Sequence, residues 1–463
     1  MEKLSIREIA AAVGGQILGS REGSIGAVVR DNRQVTEGSL FVALKGELHD
    51  GHAYIQDSLQ RGAAAALAEE GNPFLEGVEP GSKKSLILVP DTQKALEMLA
   101  AAYRQKFSAP VIAVTGSVGK TSCKDLTAAA LAGGLKVVKT EKNYNNHIGV
   151  PLTIFQMEAD TQAAVIEMGM NHKGEIDRLA AMARPRYGII TNIGISHIEN
   201  LGSQEGILKA KLELLNHLEP DGVLYLNGDD PLLYGLRGKL PVETEYFGFQ
   251  EHNDAKVLET DMTELGRLRL RMTYQGEEYR FVLNTLGEHM AYNALPAVMI
   301  GRRLGLEPRA IVAGLTQYMP ADLRLQIKIG ETVRVLDDSY NASPASMESA
   351  IKTLAQLPGT ARRVAILGDM FELGEQEETA HRRVGSFLAA QSNISVAVFI
   401  GSRSRWSYEE ARKNPAIACF WFAEKEEMEK NVFEIIQKND IILVKASRGM
   451  HLDQVSAYIL ERK

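Results

Sequence analysis

Cysteine is nearly absent: Cys123 and Cys419 are the only two in 463 residues, far apart and without ligand spacing. That excludes a disulfide framework and a thiolate metal cluster, and a reduced, cytoplasmic protein is expected. No apolar run reaches the ~18 residues of a membrane-spanning helix, so no integral membrane contact is expected. The apolar stretch Ile9 to Leu18 follows Arg7 and Glu8 and is broken at Gly14-Gly15. It reads as part of an amphipathic helix, Ser5 to Val13, opened by Ser5 with Glu8 three residues on, and not as a signal segment. Basic runs are missing too: Lys and Arg number 52 against 59 Asp and Glu, for a net charge of −7. Nucleic acid is therefore not expected as a partner, and an anionic small molecule must be met by locally placed Lys and Arg.

What is present is ordinary for a globular chain, with 45% hydrophobic and 24% charged residues. The length exceeds one core and implies several domains of ~100–200 residues. Residues 1–90 combine one helix with strands around Gly38 to Leu44 and Lys84 to Pro90, with Tyr54 to Ala68 a helix running into a strand. Residues 91–320 alternate strand and helix, with strands Val111 to Thr115, Ala163 to Met168, Tyr187 to Asn192 and Gly222 to Asn227. Such alternation predicts a mostly parallel sheet covered by helices. Ala255 to Asn284 is polar and alternating, which predicts an antiparallel excursion. Residues 321–463 resume the rhythm with Val333 to Asp337, Arg363 to Gly368, Val396 to Gly401, Cys419 to Phe422 and Asp440 to Lys445. A second doubly wound sheet fits them.

The most informative segment is Thr115, Gly116, Ser117, Val118, Gly119, Lys120, Thr121 and Ser122. It follows a short β-branched run and precedes a helix, as a phosphate-binding loop must. Glycines let several N–H groups converge on phosphate oxygens at a helix N-terminus. Lys120 would reach the terminal phosphates and the Thr121 hydroxyl would ligate Mg²⁺. Only two residues separate the glycines, which makes this a shorter variant of the generic loop.

Other polar residues fall at strand ends, where open α/β sheets bind ligands. Glu167 ends one strand; such a carboxylate either holds Mg²⁺ against the phosphates or faces solvent. His197 follows the strand through Thr191-Asn192, and Lys211 lies fourteen residues on in the helical run Ser203 to His217. A Lys among apolar neighbours can lose its charge and then react with CO₂ to give a carbamate. The residues alone do not separate that reading from a solvated helix lysine. Asn227 to Pro231 reads as a turn. Asp337-Asp338-Ser-Tyr-Asn-Ala-Ser-Pro344 ends a strand and opens a helix at Ser343, a second polar cluster that would face the first across a cleft.

Taken together these motifs resemble the Mur ligase family of ATP-dependent amide-forming enzymes over nearly the whole chain. The marks are TGSVGKTS, Asn143 to Pro151, Glu167-Met-Gly, and Ser196-His197 with Lys211. Further on come Gly287-Glu-His289 with Asn293, Asp337 to Pro344, Ile366 to Leu373 and Lys445 to Arg448. The branch that adds a third amino acid carries an Asp-Asn-Pro-Arg motif that is missing here, and its Gly-Cys-Gly-Gly-Asp stretch is replaced by Leu367 to Met370. The likeness is therefore to the dipeptide-adding branch.

That resemblance implies an α/β fold of three domains: a small N-terminal UDP-binding domain, a central P-loop ATPase-like parallel sheet and a C-terminal Rossmann-like domain. It implies ATP, UDP-N-acetylmuramoyl-tripeptide and D-alanyl-D-alanine as substrates of a monomer, with Mg²⁺ as cofactor. Catalysis is expected from Lys120, Glu167, His197 and Lys211, and the metal from Thr121, Glu167, His197 and a carbamylated Lys211. Asn293 would contact adenine, while Arg324, Asp338 and Asn341 would meet nucleotide or substrate. Substrate is expected at Asp31, Asn32, Arg33, Lys45, Gly46, Asp50 and His52, and at Asn145 and Asn146. Asn32 replaces a more usual Ser, and Ser343 a more usual Asn. A folylpolyglutamate synthetase-like ligase is the alternative enzyme, and an ATP-binding regulatory protein the alternative of another class.

Overall fold

A computed structural model describes residues 1–46, 49–80, 83–196, 198–263 and 266–461. The chain opens with the helix Ile6–Val13, held by a capping box: Glu8 N–H donates to Ser5 Oγ and Ser5 N–H to Glu8 Oε2. Its apolar stripe, Ile6, Ile9, Ala10 and Val13, is buried. Behind it lies a five-stranded sheet in the order Gln16–Gly19, Ser85–Val89, Ala65–Glu69, Ser39–Val42, Ala27–Val29. The first pair is antiparallel and the rest are parallel.

The central sheet has nine strands. From one edge they run Val137–Lys139, Ala163–Glu167, Val111–Thr115, Tyr187–Ile190, Val223–Asn227 and Glu243–Gly248, all parallel. The strands Ala255–Met262, Leu268–Tyr274 and Glu277–Leu283 then extend it as an antiparallel meander, the excursion that the alternating pattern predicts. Val111 to Thr115 is buried along its length because helices cover both faces, so no polar alternation is visible in it. The helix Lys120–Ala132 packs on one face against Met290–Arg303.

The third sheet has six strands, in the order Gln326–Ile329, Arg334–Asp337, Ile441–Lys445, Arg363–Gly368, Val396–Ile400, Ala418–Phe422. Five are parallel. The edge strand Gln326–Ile329 is antiparallel, and its half-exposed polar–apolar mix hid it from the sequence reading.

The two junctions between sheets differ. Apolar packing runs without a break from Leu4 and Ile6 through Leu96 and Leu99 of the helix Thr92–Arg104 to Val111 and Leu179 of the central unit. Tyr103 pins this junction: its hydroxyl accepts from Glu2 N–H at 2.7 Å and donates to the Met157 carbonyl at 2.6 Å. The third sheet instead builds its own cores, one on each face, and Leu286 of the central unit, with Ile195 and Met262 beside it, reaches into one of them. Between it and the central sheet lies a polar cavity. Among the described residues no helix is long and apolar enough to cross a membrane.

Candidate active site

The loop Gly116 to Gly119 joins the central strand Val111–Thr115 to the helix Lys120–Ala132, and its shape is imposed from outside. Asn192, at the end of the neighbouring strand, accepts the Val118 N–H at 2.9 Å and donates to the Val118 carbonyl at 2.8 Å. Thr191 Oγ1 donates to the same carbonyl at 2.6 Å, and Ser117 Oγ accepts from Gly194 N–H at 2.9 Å. Gly116 sits at φ +144°, where a Cβ would fall 1.9 Å from Thr191 Oγ1, so no other residue fits. With the Ser117 and Val118 N–H groups spent on Asn192, the loop is preorganised, and the N–H groups left to meet an anion are those at the helix N-terminus from Gly119 on. The Lys120 ammonium lies over the loop, donating to the Gly116 carbonyl at 2.8 Å. Burial pulls its pKa below the ordinary lysine value, against the opposing pull of Glu167, while Arg324 adds to the lowering.

A cavity of about 370 Å³ opens above the loop. Its central-sheet wall holds Ser117 to Thr121, Asn145, Asn146, Glu167 and Arg178; its far wall holds Arg324, Tyr340, Asn341, Ser343, Ser346 and Lys445. A narrower recess of about 70 Å³ adjoins it, reached by Gly119, Ser122, His289, Asn293, Arg324 and Asp338. Lys120, Arg178, Arg324 and Lys445 line the larger space against two carboxylates, Glu167 and Glu175. Crowded cations in a part-buried cleft favour an anion of several charges.

Glu167 is 2% exposed. Asn145 Nδ2 donates to its Oε1 at 2.8 Å, while Oε2 has no partner among the described residues. A buried, orphaned carboxylate oxygen in a cavity that Thr121 also lines suits a hard divalent cation that takes its remaining oxygens from phosphate and water. No group of three or more His, Cys, Asp or Glu that could hold a metal by itself occurs among the described residues. The donor set therefore fits Mg²⁺ delivered with a nucleotide.

Lys211 is also 2% exposed, in the helix Gln204–Leu212. Burial, then the charge of Lys120, holds its pKa well below the ordinary lysine range. His197 lies outside the described residues. Across the cleft, Lys445 Nζ donates to Asp338 Oδ2 at 2.5 Å and to the Asn341 carbonyl at 2.9 Å. Burial lowers the Lys445 pKa and Asp338 opposes the shift.

Several expected residues lie outside this cavity. Thr115 is fully buried in its strand and Gly116 backs onto Thr191, so neither lines the cavity. The N-terminal candidates stand apart from it. Asp31 caps the turn Asn32–Gln34 and pairs with Arg33 Nη2 at 2.7 Å; Asn32 Nδ2 donates to Asp57 at 2.7 Å. Lys45 and Asp50 form an isolated antiparallel bridge, and the Gly46 N–H donates to the His49 carbonyl. His52 is buried, one ring nitrogen 2.6 Å from Asp50 and the other accepting the Glu69 N–H at 2.9 Å, so it braces Asp50 from within the core. The segment Asn227 to Pro231 is more than a turn: Asp230 accepts the Ile193 N–H at 2.7 Å and steadies the strand end that holds the loop. The sequence reading missed Arg178, Tyr340 and Lys445 as cavity residues. The latter two lie in motifs it quoted; Arg178 carried no local signal.

Sheet order, loop and facing polar wall define an α/β protein of three main sheets with a nucleotide-type phosphate site at a domain cleft. Family models agree: Mur ligase family, catalytic domain, matches residues 24–104; Mur ligase middle domain, 114–301; and Mur ligase, glutamate ligase domain, 323–448. The chain is 38% identical to UDP-N-acetylmuramoyl-tripeptide–D-alanyl-D-alanine ligase of Bacillus subtilis, covering all of this chain and 99% of that protein. Among solved structures, MurF from Acinetobacter baumannii superposes with a TM-score of 0.89 at 28% identity over the full length of both chains. MurF ligase from Thermotoga maritima in complex with ADP does so at 0.81 and 27% identity, covering 94% of this chain and 97% of that one. The chain belongs to the Mur ligase family.

Proposed function

We propose that this protein is an ATP-dependent amide ligase that joins D-alanyl-D-alanine to UDP-N-acetylmuramoyl-tripeptide, giving the pentapeptide precursor of peptidoglycan. The observation that carries the proposal is the cavity itself: a clamped phosphate loop with Lys120 on one wall and the Asp338–Lys445 cluster of a separate sheet on the other. The full-length likeness to ligases of that name supports the substrate pair.

ATP lies with its phosphates on the amides from Gly119 on and its nucleoside toward Asn293 and the narrower recess. The terminal carboxylate of the tripeptide attacks the γ-phosphorus; an acyl phosphate forms as the bond to ADP breaks. Lys120 neutralises charge gathering on the transferring oxygens. The dipeptide amine then attacks the acyl carbon, loses its proton, and phosphate leaves. Thr121 and Glu167 would hold Mg²⁺, which when bound supplies charge neutralisation at the phosphates. His197 and Lys211, the latter as a carbamate, form the second metal-binding part of this reading. The UDP-sugar end falls to Asp31, Asn32, Arg33, Lys45, Gly46 and Asp50, with His52 bracing Asp50 from beneath. The acyl phosphate must be kept from water, so closure of the third domain over the cleft belongs to the cycle. Units of residues 1–90, 91–320 and 321–463, acting as a cytoplasmic monomer, complete the reading.

The test is incubation with ATP, Mg²⁺, the UDP-tripeptide and D-alanyl-D-alanine, following phosphate and product mass. Phosphate release that requires both substrates, with a pentapeptide product, is expected. Release without product would overturn the proposal, and turnover on folate substrates would favour the alternative ligase.

A further inference from the structure

Arg324 occupies an unusual stretch of backbone. It lies where the central unit hands over to the third sheet, flanked by two leucines in left-handed conformations, Leu323 at φ +61° and Leu325 at φ +50°. Such φ values are costly for a branched side chain and persist only where the surroundings impose them. Here the surroundings are one short segment of the third domain. The Leu325 N–H donates to Asp338 Oδ1 at 3.2 Å, and the Tyr340 N–H donates to the Leu323 carbonyl at 3.3 Å. The Tyr340 ring lies under the Arg324 guanidinium, 4.1 Å from its centroid.

Arg324 lines both the larger cavity and the narrower recess. The other three cations of the larger cavity are already engaged. Arg178 pairs with Glu97, Lys445 with Asp338, and Lys120 with loop carbonyls. Arg324 has no carboxylate partner among the described residues. It is nonetheless close enough to Lys120 and Lys445 to lower the pKa of each. An arginine held by a ring face keeps its five donors free for an anion.

We propose that Tyr340 is the positioning residue for Arg324. Its N–H fixes the backbone at Leu323 and its ring holds the guanidinium, across the domain junction, toward the phosphate end of the nucleotide site. The third domain thereby presents a cation to the nucleotide only while its Asp338-Ser339-Tyr340 segment is seated against the joint. The inference rests on the nucleotide reading above and adds to it a residue that acts through Arg324 and not by contact with substrate.

The experiment is a double-mutant cycle on the full chain, read by ADP binding with a fluorescent ADP analogue and by steady-state kinetics. Tyr340→Leu should weaken ADP binding and raise KM for ATP by about tenfold, with a smaller change in kcat. Tyr340→Phe keeps the ring and should stay within about twofold of wild type. Arg324→Ala and the double variant should bind equally weakly, because the ring has nothing left to hold. Tyr340→Gln replaces Tyr340→Leu if that variant melts early. Additive losses, or a Tyr340→Leu variant that binds ADP like wild type, would overturn the inference. Wild-type protein that fails to bind ADP would overturn the nucleotide reading beneath it.

Discussion

The junction between the first and central units and the junction between the central and third units are built from the same materials in different proportions. The first is a continuous apolar core, with Leu96, Leu99 and Tyr103 of one helix buried against both partners. The second is mostly a lined cavity, flanked by an exposed ion pair between Glu288 and Lys352 and by a small apolar contact in which Leu286 of the central unit enters a core of the third. Apolar area, once buried, resists separation in proportion to its extent, whereas polar surfaces exchange partners with water at little net cost. The contrast assigns rigidity to the first junction and adjustable chemistry to the second.

The largest effect is expected at the polar junction. Lys120→Ala should lower ligation by about a thousandfold or more, with the melting curve unchanged, because the charge acts on the transferring phosphoryl group. Ligation at the wild-type rate would remove the loop from the mechanism. Leu99→Ala tests the apolar junction and should behave in the reverse way. It should cost about 2–5 kcal/mol of stability by denaturant titration, with KM for ATP intact where the protein is folded. A changed KM would show that this junction also moves.

A smaller effect is expected at Asn145, whose amide leaves one Glu167 oxygen free. Asn145→Ala should raise the Mg²⁺ concentration needed for nucleotide binding by about 10–100-fold. An unchanged requirement would separate Asn145 from the metal. Next comes a pH effect. Burial lowers His289 from 6.5 to about 4, with Asp338 and Glu288 opposing and Lys445 and Lys352 assisting. The unfolded chain then binds a proton that the folded one does not, so stability should fall as pH drops from about 6.5 to about 4 and this contribution should level off below that. The slope should shrink in His289→Gln, measured by denaturant midpoints across that range. The smallest effect is expected from Lys352→Ala, less than about 1 kcal/mol, since the Glu288 pair is solvent-exposed. A loss of several kcal/mol would make the polar junction a structural weld after all.

Legibility in the sequence followed the same divide. The strand–loop–helix at Val111 to Ala132, the antiparallel meander and the Ser5 capping box were visible because each is dictated by neighbours a few residues away. Glu167 was visible as a strand-end carboxylate, but its orphaned oxygen was not, since that depends on Asn145 from another loop. His52 looked like a substrate contact beside Asp50 and Gly51, and only the fold shows its second ring nitrogen spent on Glu69, seventeen residues on.

The sequence by itself determined the class of site, because a phosphate loop is eight consecutive residues whose glycines and lysine act through local backbone geometry. It determined the alternation that makes two parallel sheets. Only the tertiary structure decided what faces the loop. Lys445 meets Asp338 across 107 residues of chain, and Arg324 takes its direction from Tyr340 at a strained joint. Both pairings form within the third unit, where its own sheet brings distant chain segments together, and no local periodicity or spacing encodes how that sheet comes to rest against the loop.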